Sequence, residues 1–419
     1  MISIENMIDR EINIDEHWNF GNSKEYKMHS LHAYPAKFPA FIASKAFAYA
    51  EVEGVNVNAV SDIFCGCGTV ALEAKINGKS FWGCDINPVA TLIAKAKSAT
   101  YDVNILDQYY CEIKNKISEL EVAEDEYSKT NDRIRYWFTY NSFVELYKIK
   151  RAIELTVDIE LYKNVFLCLF SSILKSSSRW LTKSIKPQVD PDKKDIDIQH
   201  AFDLKYKKLI NAVMELNDVE DDNKIIIENK NFLQMENTPM VDLIITSPPY
   251  VTSYEYADLH QLSSLWLDYV DDYRELRKGS IGSVYNSDGF SLDNKQLNVV
   301  GKKIINDLQS CVKSYSKVRS VARYYIDMQN VVEKCRGMLN EGGMAFFVVG
   351  DTEYKGVKIL NSHHLIQSLK DNGFKDIKIT KRRISNKLLS PYRDSNGKFS
   401  ADKNARTIYH EESIISGRV

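Results

Sequence analysis

Several features are missing from this sequence of 419 residues, and each absence narrows what the chain can be. No apolar run reaches the roughly 18 residues of a membrane-spanning helix, and the opening stretch MISIENMIDREINIDEHW lacks a basic-then-apolar secretory signal. The seven cysteines are odd in number and scattered, which fits a reducing cytoplasm better than a disulfide framework. Paired Cys-x-x-Cys units are absent too. Cys65 and Cys67, with Cys84 as a third thiol, read as small buried side chains, and no metal is expected. The formal net charge is −2, so no global positive field advertises a nucleic-acid partner and any such surface must be local. There is no regular repeat and no low-complexity tract.

What is present, 44% apolar and 27% charged residues, is ordinary for a soluble globular protein. The length allows one large α/β domain with insertions, or two domains. HSLHAYPAKFPAFIASKAFAYA reads as a turn-rich piece leading into a helix, and residues 59–100 as strand, Gly-rich turn, helix, strand, helix. Helical periodicity dominates residues 105–222, and a strand-and-helix pattern returns from 223 to 419, where CRGMLNEGGMAFFVVGD reads as a helix end, a Gly-Gly turn and a buried strand. These patterns predict a doubly wound, mainly parallel Rossmann-like sheet. Its cofactor half is expected in residues 1–104, a helical insertion in 105–222, and a second, catalytic half in 223–419. The insertion is too long to be a connection within the sheet, so it reads as a lid or a recognition module.

The stretch DIFCGCGT, Asp62 to Thr69, follows a strand and opens a helix. Gly66 and Gly68 would let the backbone approach a ligand, beside the unpaired N–H groups of the helix N-terminus. About 20 residues on, the strand SFWGCD ends in Asp85, placed to accept two ribose hydroxyls. Val70 and Ala71 stand where a dinucleotide site would carry its third glycine, which argues against pyrophosphate and a nicotinamide oxidoreductase. A carboxylate at Asp62 suits a cationic amino-acid tail and repels phosphate. Adenosine, no phosphate and an ammonium tail together describe S-adenosyl-L-methionine.

A second strand, VDLIIT, runs into Ser247, Pro248, Pro249 and Tyr250. The exocyclic amine of a nucleobase is a poor nucleophile, because its lone pair is delocalised into the ring. Two rigid acceptors, the Ser247 side-chain oxygen and the Pro248 carbonyl, would hold both N–H groups and aim the lone pair at a methyl carbon. The prolines fix φ, so the acceptors need no reorganisation, and Tyr250 offers a face on which an extruded base can stack. Cytosine C5 chemistry is disfavoured, since it uses a thiolate, usually from a Pro-Cys turn, and no Pro-Cys dipeptide occurs.

DIFCGCGT and TSPPY together resemble the S-adenosylmethionine-dependent DNA amino-methyltransferases, and the Thr-Ser-Pro-Pro-Tyr form is similar to their N4-cytosine branch. HSLHAYPAKFPAFI, MLNEGGMAFFVVGD and ITKRRISNK resemble further segments of the family; the matched pieces make up roughly a third of the chain, spread from end to end. The resemblance implies direct methyl transfer to cytosine N4 in double-stranded DNA, with adenine N6 as the alternative. RNA methylation and a non-catalytic binding role stand further off. It also implies a restriction-modification or other defence setting, with a cognate endonuclease as possible partner. A cofactor-binding set follows: Asp62, Phe64, Gly66, Gly68, Thr69, Asp85, Ile86 and Thr246, with Lys37 and Phe38 from the N-terminal segment. Where the family carries an acid against the adenine amino group, this chain has Asn231, with Glu228 as a rival. Asp351 reads as a loop or cap residue, and His32 as lining or capping the cofactor pocket. Phosphate contacts are expected from Arg135, Arg179, Lys381, Arg382 and Arg383, with Lys387 beside them. The helical block and the loop after the catalytic turn are the candidates for reading the DNA bases, against residues 267–325 as a whole.

Overall fold

A computed structural model describes residues 12–19, 24–219, 223–251, 255–283, 285, 289–291, 294–311, 315–384, 392–393, 402, 406–407 and 411–419. Seven strands form one sheet: β1 (Ala59–Asp62), β2 (Ser80–Asp85), β3 (Ile225–Asn229), β4 (Val241–Thr246), β5 (Leu339–Val349), β6 (Lys375–Arg383) and β7 (Glu411–Arg418). Their spatial order is β3-β2-β1-β4-β5-β7-β6. The first five pair in parallel, and β7 runs antiparallel between β5 and β6. The expected doubly wound, mainly parallel α/β sheet is present. The strand order reverses between β1 and β4, which is where open α/β sheets leave a crevice at their carboxyl edge.

Both faces are covered, so the strands read as nearly continuous apolar runs. On one face Val60, Leu243 and Ile245 pack against α1 (Ala40–Val52) and α2 (Thr69–Ile76). On the other, Ile244 and Phe347 meet Val321, Tyr325 and Val332 of a long helix, Tyr315–Met338, and Leu365 of the helix Asn361–Asp371. The helix α3 (Pro88–Ser98) starts where Asn87 Oδ1 accepts the Val89 N–H at 3.0 Å and Pro88 takes the first helical position. Such a cap is worth about 1 kcal/mol.

The block expected to be helical contains α4 (Val103–Glu119), α5 (Tyr140–Thr156), α6 (Glu160–Ser177) and α7 (Ile198–Glu215). Asp102, Thr139 and Asp197 cap the first, second and fourth of these. The block does not stand apart from the sheet. Its Phe143, Phe166 and Phe170 share one core with Val89, Leu92 and Ile93 of α3 and with Leu262, Leu265 and Trp266 from the segment after β4. Each such side chain contributes about 1.5–3 kcal/mol when fully buried. Trp266 alone meets the rings of Phe138, Phe143 and Phe170 at centroid distances of 5.5, 5.4 and 5.6 Å.

One local expectation differs. Gly342 and Gly343 read as a turn before a strand, whereas β5 already begins at Leu339 and passes through them. Gly342 takes φ +77° and the pairing with β4 shifts between Val241 and Leu243, so the glycines form an irregularity inside a continuous strand. Among the described residues, no helix is long and apolar enough to cross a membrane.

Candidate functional site

Because β1 and β4 are neighbours, the Gly-rich turn and the Thr-Ser-Pro-Pro-Tyr turn leave the sheet side by side. A hydrogen bond joins them directly: Thr246 Oγ1 donates to Asp62 Oδ1 at 2.6 Å. The Phe64 N–H donates to the same carboxylate oxygen at 3.1 Å. Asp62 is buried, and among the described residues no cation bonds it. Burial pushes its carboxyl up to about 7, further than those two donors can pull it back. Thr246 is itself fully buried, so it acts on Asp62 and does not reach open space.

At the end of β2, the Asp85 oxygens accept one backbone N–H each, from Gly66 and from Asn87, both at 2.8 Å. Desolvation raises this carboxyl as well. The two glycines then part company. At Gly66, φ is +50° and an added Cβ would meet the Tyr34 ring at 3.8 Å, ordinary contact across the turn's open side. At Gly68, φ is +73° and a Cβ would lie 2.7 Å from Ala94 of α3. Gly68 therefore serves close packing of the turn on a helix. Thr69 is buried at the start of α2, and Phe64 is partly buried against the second sheet face. Behind the turn, the buried Lys97 ammonium donates to the Cys67 carbonyl at 2.9 Å. The three thiols are buried as expected, and Cys84 Sγ donates to the Ile63 carbonyl at 3.5 Å.

On the other turn, Ser247 Oγ–H donates to the Val348 carbonyl at 3.0 Å. Its proton is committed, so the oxygen presents lone pairs to anything beside it. Pro248 is buried, whereas Ser247, Pro249 and Tyr250 are half-buried. The Tyr250 ring lies on the backbone of Gly350, where an added Cβ would come within 2.8 Å of it. Tyr250 Oη donates to Glu412 Oε1 at 2.9 Å.

Asn231 sits past the end of β3, with its Oδ1 accepting the Leu233 N–H at 3.0 Å and its Nδ2 donating to the Gly279 carbonyl at 3.2 Å. Gly279 in turn passes over Ile86, whose Cδ1 would be 3.2 Å from an added Cβ. The loop 273–283 thereby spans from Ile86 and Asn231 to Gly282, where an added Cβ would be 3.4 Å from the Tyr250 carbonyl. Glu228 is occupied elsewhere, accepting from Trp82 Nε1 at 3.0 Å and Lys230 Nζ at 2.7 Å. Lys37 Nζ donates to Glu25 at 2.8 Å, and Phe38 packs on the α1 and α2 face. His32 bridges the Ala33 carbonyl and Ser171 Oγ at 2.8 and 3.0 Å, and burial lowers it to about 4. It ties the N-terminal segment to α6 instead of facing the turn. Asp351 caps the helix Asn361–Asp371, accepting from the Ser362 N–H at 2.9 Å.

The basic residues separate as well. Arg179 and Arg383 are exposed. Lys381 pairs with Glu411 at 3.3 Å, and Arg135 engages Asp132 and the Ser128 carbonyl. Arg382 is buried and ion-paired with Glu412 at 2.5 Å, which leaves it no surface for a phosphate. Lys387 lies outside the described residues. Four contributors went unread in the sequence: Tyr34, Lys97, the Val348 carbonyl and Glu412. Only Lys97 left a signal, as one of two lysines, with Lys95, in the largely apolar VATLIAKAKS.

No family model matches the chain. It is 23% identical over 406 residues to the type II methyltransferase M.MvaI of Kocuria varians, covering 88% of this chain and 86% of that protein. With the type II methyltransferase M.BsoBI of Geobacillus stearothermophilus it shares 22% over 382 residues, 76% and 74% of the two chains. The chain is a distant homologue of type II methyltransferases. A third such protein, M.MjaII of Methanocaldococcus jannaschii, is 25% identical over 217 residues, 51% of this chain and 33% of its own length. Among solved structures, the rRNA methyltransferase aviRa from Streptomyces viridochromogenes overlaps 92% of this chain and 88% of its own, at 8% identity and a TM-score of 0.31.

Proposed function

We propose that this protein is a site-specific DNA amino-methyltransferase acting on cytosine N4 in double-stranded DNA, in a restriction-modification setting with a cognate endonuclease as partner. One observation carries the reading: the two turns rise from adjacent strands and are bonded through Thr246 and Asp62. The homology to type II methyltransferases supports it.

The side chains fit S-adenosylmethionine. Asp62 is a buried carboxyl with no cation bonded to it among the described residues, suited to an ammonium tail, and each Asp85 oxygen keeps a lone pair beyond its single backbone bond, suited to ribose hydroxyls. Ile86 and Asn231 would border the adenine. When bound, the cofactor supplies an electrophilic methyl group on a sulfonium. The protein's part is positional. Ser247 Oγ and the Pro248 carbonyl would each accept one hydrogen of the target amine, drawing its lone pair out of conjugation with the ring. Val348 keeps Ser247 from donating instead, and the paired prolines hold both acceptors without reorganisation. Tyr250 would support the extruded base. Exposed Arg179 and Arg383 are the remaining candidates for phosphate contacts.

The test is transfer of a tritiated methyl group to duplex DNA and to RNA, followed by nucleoside identification. N4-methylcytosine in DNA is expected. N6-methyladenine would move the reading to the alternative base, and label confined to RNA would overturn it.

A further inference from the structure

The Tyr250 ring is held at three points. The Pro248-Pro249 backbone fixes its root, the Gly350 backbone lies close against its ring, and Glu412 holds its hydroxyl at 2.9 Å. Gly350 is needed here, since any side chain at that position would meet the ring within 2.8 Å. Glu412 is in turn immobilised. It lies opposite Arg382 across the β7–β6 pair, and its second oxygen accepts from Arg382 Nη2 at 2.5 Å. Side-chain exposures of 4% for Arg382 and 15% for Glu412 put this pair out of bulk water. The guanidinium also rests 5.5 Å from the Phe41 ring centroid on α1. Among the described residues, Arg382 Nε is buried without a partner.

A buried ion pair is weak support for stability, because desolvation offsets most of the attraction. A bidentate use of one carboxylate, one oxygen for a tyrosine and one for an arginine, fixes orientation far more than it adds energy. We propose that Glu412, anchored by Arg382, is a positioning residue that sets the plane of Tyr250 as the platform for the target base. This rests on the methyltransferase reading above. It also reassigns the basic strand: Arg382 acts inward on Tyr250 through Glu412, and its neighbours Lys381 and Arg383 point away from that line.

A displacement near 1 Å at a reacting centre can slow a reaction by about 100-fold, so loosening the platform should appear in turnover. The experiment is a double-mutant cycle with Tyr250→Phe and Glu412→Gln in the full-length protein, reading kcat on duplex DNA, cofactor affinity by calorimetry, and thermal stability. Tyr250→Phe removes only the held hydroxyl and leaves the Glu412–Arg382 pair intact, so it remains informative if Glu412→Gln folds poorly. Each single change should lower kcat by about 10- to 100-fold with cofactor affinity within about twofold. In the Tyr250→Phe background, Glu412→Gln should change kcat by less than about threefold. A Tyr250→Phe enzyme with wild-type kcat, or an undiminished Glu412→Gln loss in that background, would overturn the role. Wild-type protein that binds the cofactor and methylates no DNA would overturn the methyltransferase reading itself, and this role with it.

Discussion

The two turns at the carboxyl edge are rigid by opposite means. The Gly-rich turn bends through positive φ at Gly66 and Gly68, beside two carboxyls, Asp62 buried and Asp85 half-buried, with no cation bonded to either among the described residues. The Thr-Ser-Pro-Pro-Tyr turn is stiffened by prolines, and its side-chain protons are assigned, Ser247 to Val348 and Tyr250 to Glu412. One turn carries two carboxyls that desolvation holds above their ordinary range. The other is a finished set of acceptors. On the proposed function, the first turn binds the cofactor and the second serves the chemistry, and that division can be attacked from either side.

The largest effect should come from the acceptor side. Ser247→Ala is expected to reduce kcat by about 100- to 1000-fold, with cofactor affinity changed less than about twofold; equal losses in calorimetry and turnover would erase the division between the turns. Next comes the packing of the glycine turn. Gly68→Ala forces a Cβ to within 2.7 Å of Ala94 at φ +73°, and chemical denaturation should register a loss of about 2–4 kcal/mol. Asp85→Ala should mirror Ser247→Ala, weakening cofactor binding by about 10- to 100-fold while turnover at saturating cofactor falls far less.

The smallest effect is the most specific. Burial raises Asp62 to about 7 in the folded protein against 3.8 for the free group. The folded chain therefore holds this proton longer than the unfolded chain does. Its contribution to stability is lost as pH rises through that window and is flat above it. An ammonium ligand needs the ionised form, so cofactor affinity should strengthen several-fold from about pH 6 to about pH 8. Asp62→Asn should abolish that slope, bind the cofactor weakly at every pH, and gain stability at pH 8. A slope that survives the substitution would assign it to another group.

What the sequence made legible was contiguous. Both turns, the strand ending at Asp85, the helical block and the helix after HAYPAKFP each lie in one stretch whose glycines, prolines and periodicity announce themselves. Tyr34 over Gly66, Lys97 behind Cys67 and Glu412 on Tyr250 are contacts made across the chain, by a strand order that no local pattern specifies. Arg382 could have been read better. Side chains in a strand alternate between faces, so in Lys-Arg-Arg the middle residue must point away from its neighbours, and it is the buried one. Gly342 and Gly343 misled for the reverse reason: the residues that bend a turn also let a strand absorb a bulge.

The central claim is that both turns serve a single reaction cavity. Crystallography with S-adenosylhomocysteine bound tests it most directly. The homocysteine amine is expected on Asp62, the ribose on Asp85 and the sulfur facing Ser247. A ligand seated away from the β1–β4 junction, or oriented with its sulfur turned from Ser247, would contradict it.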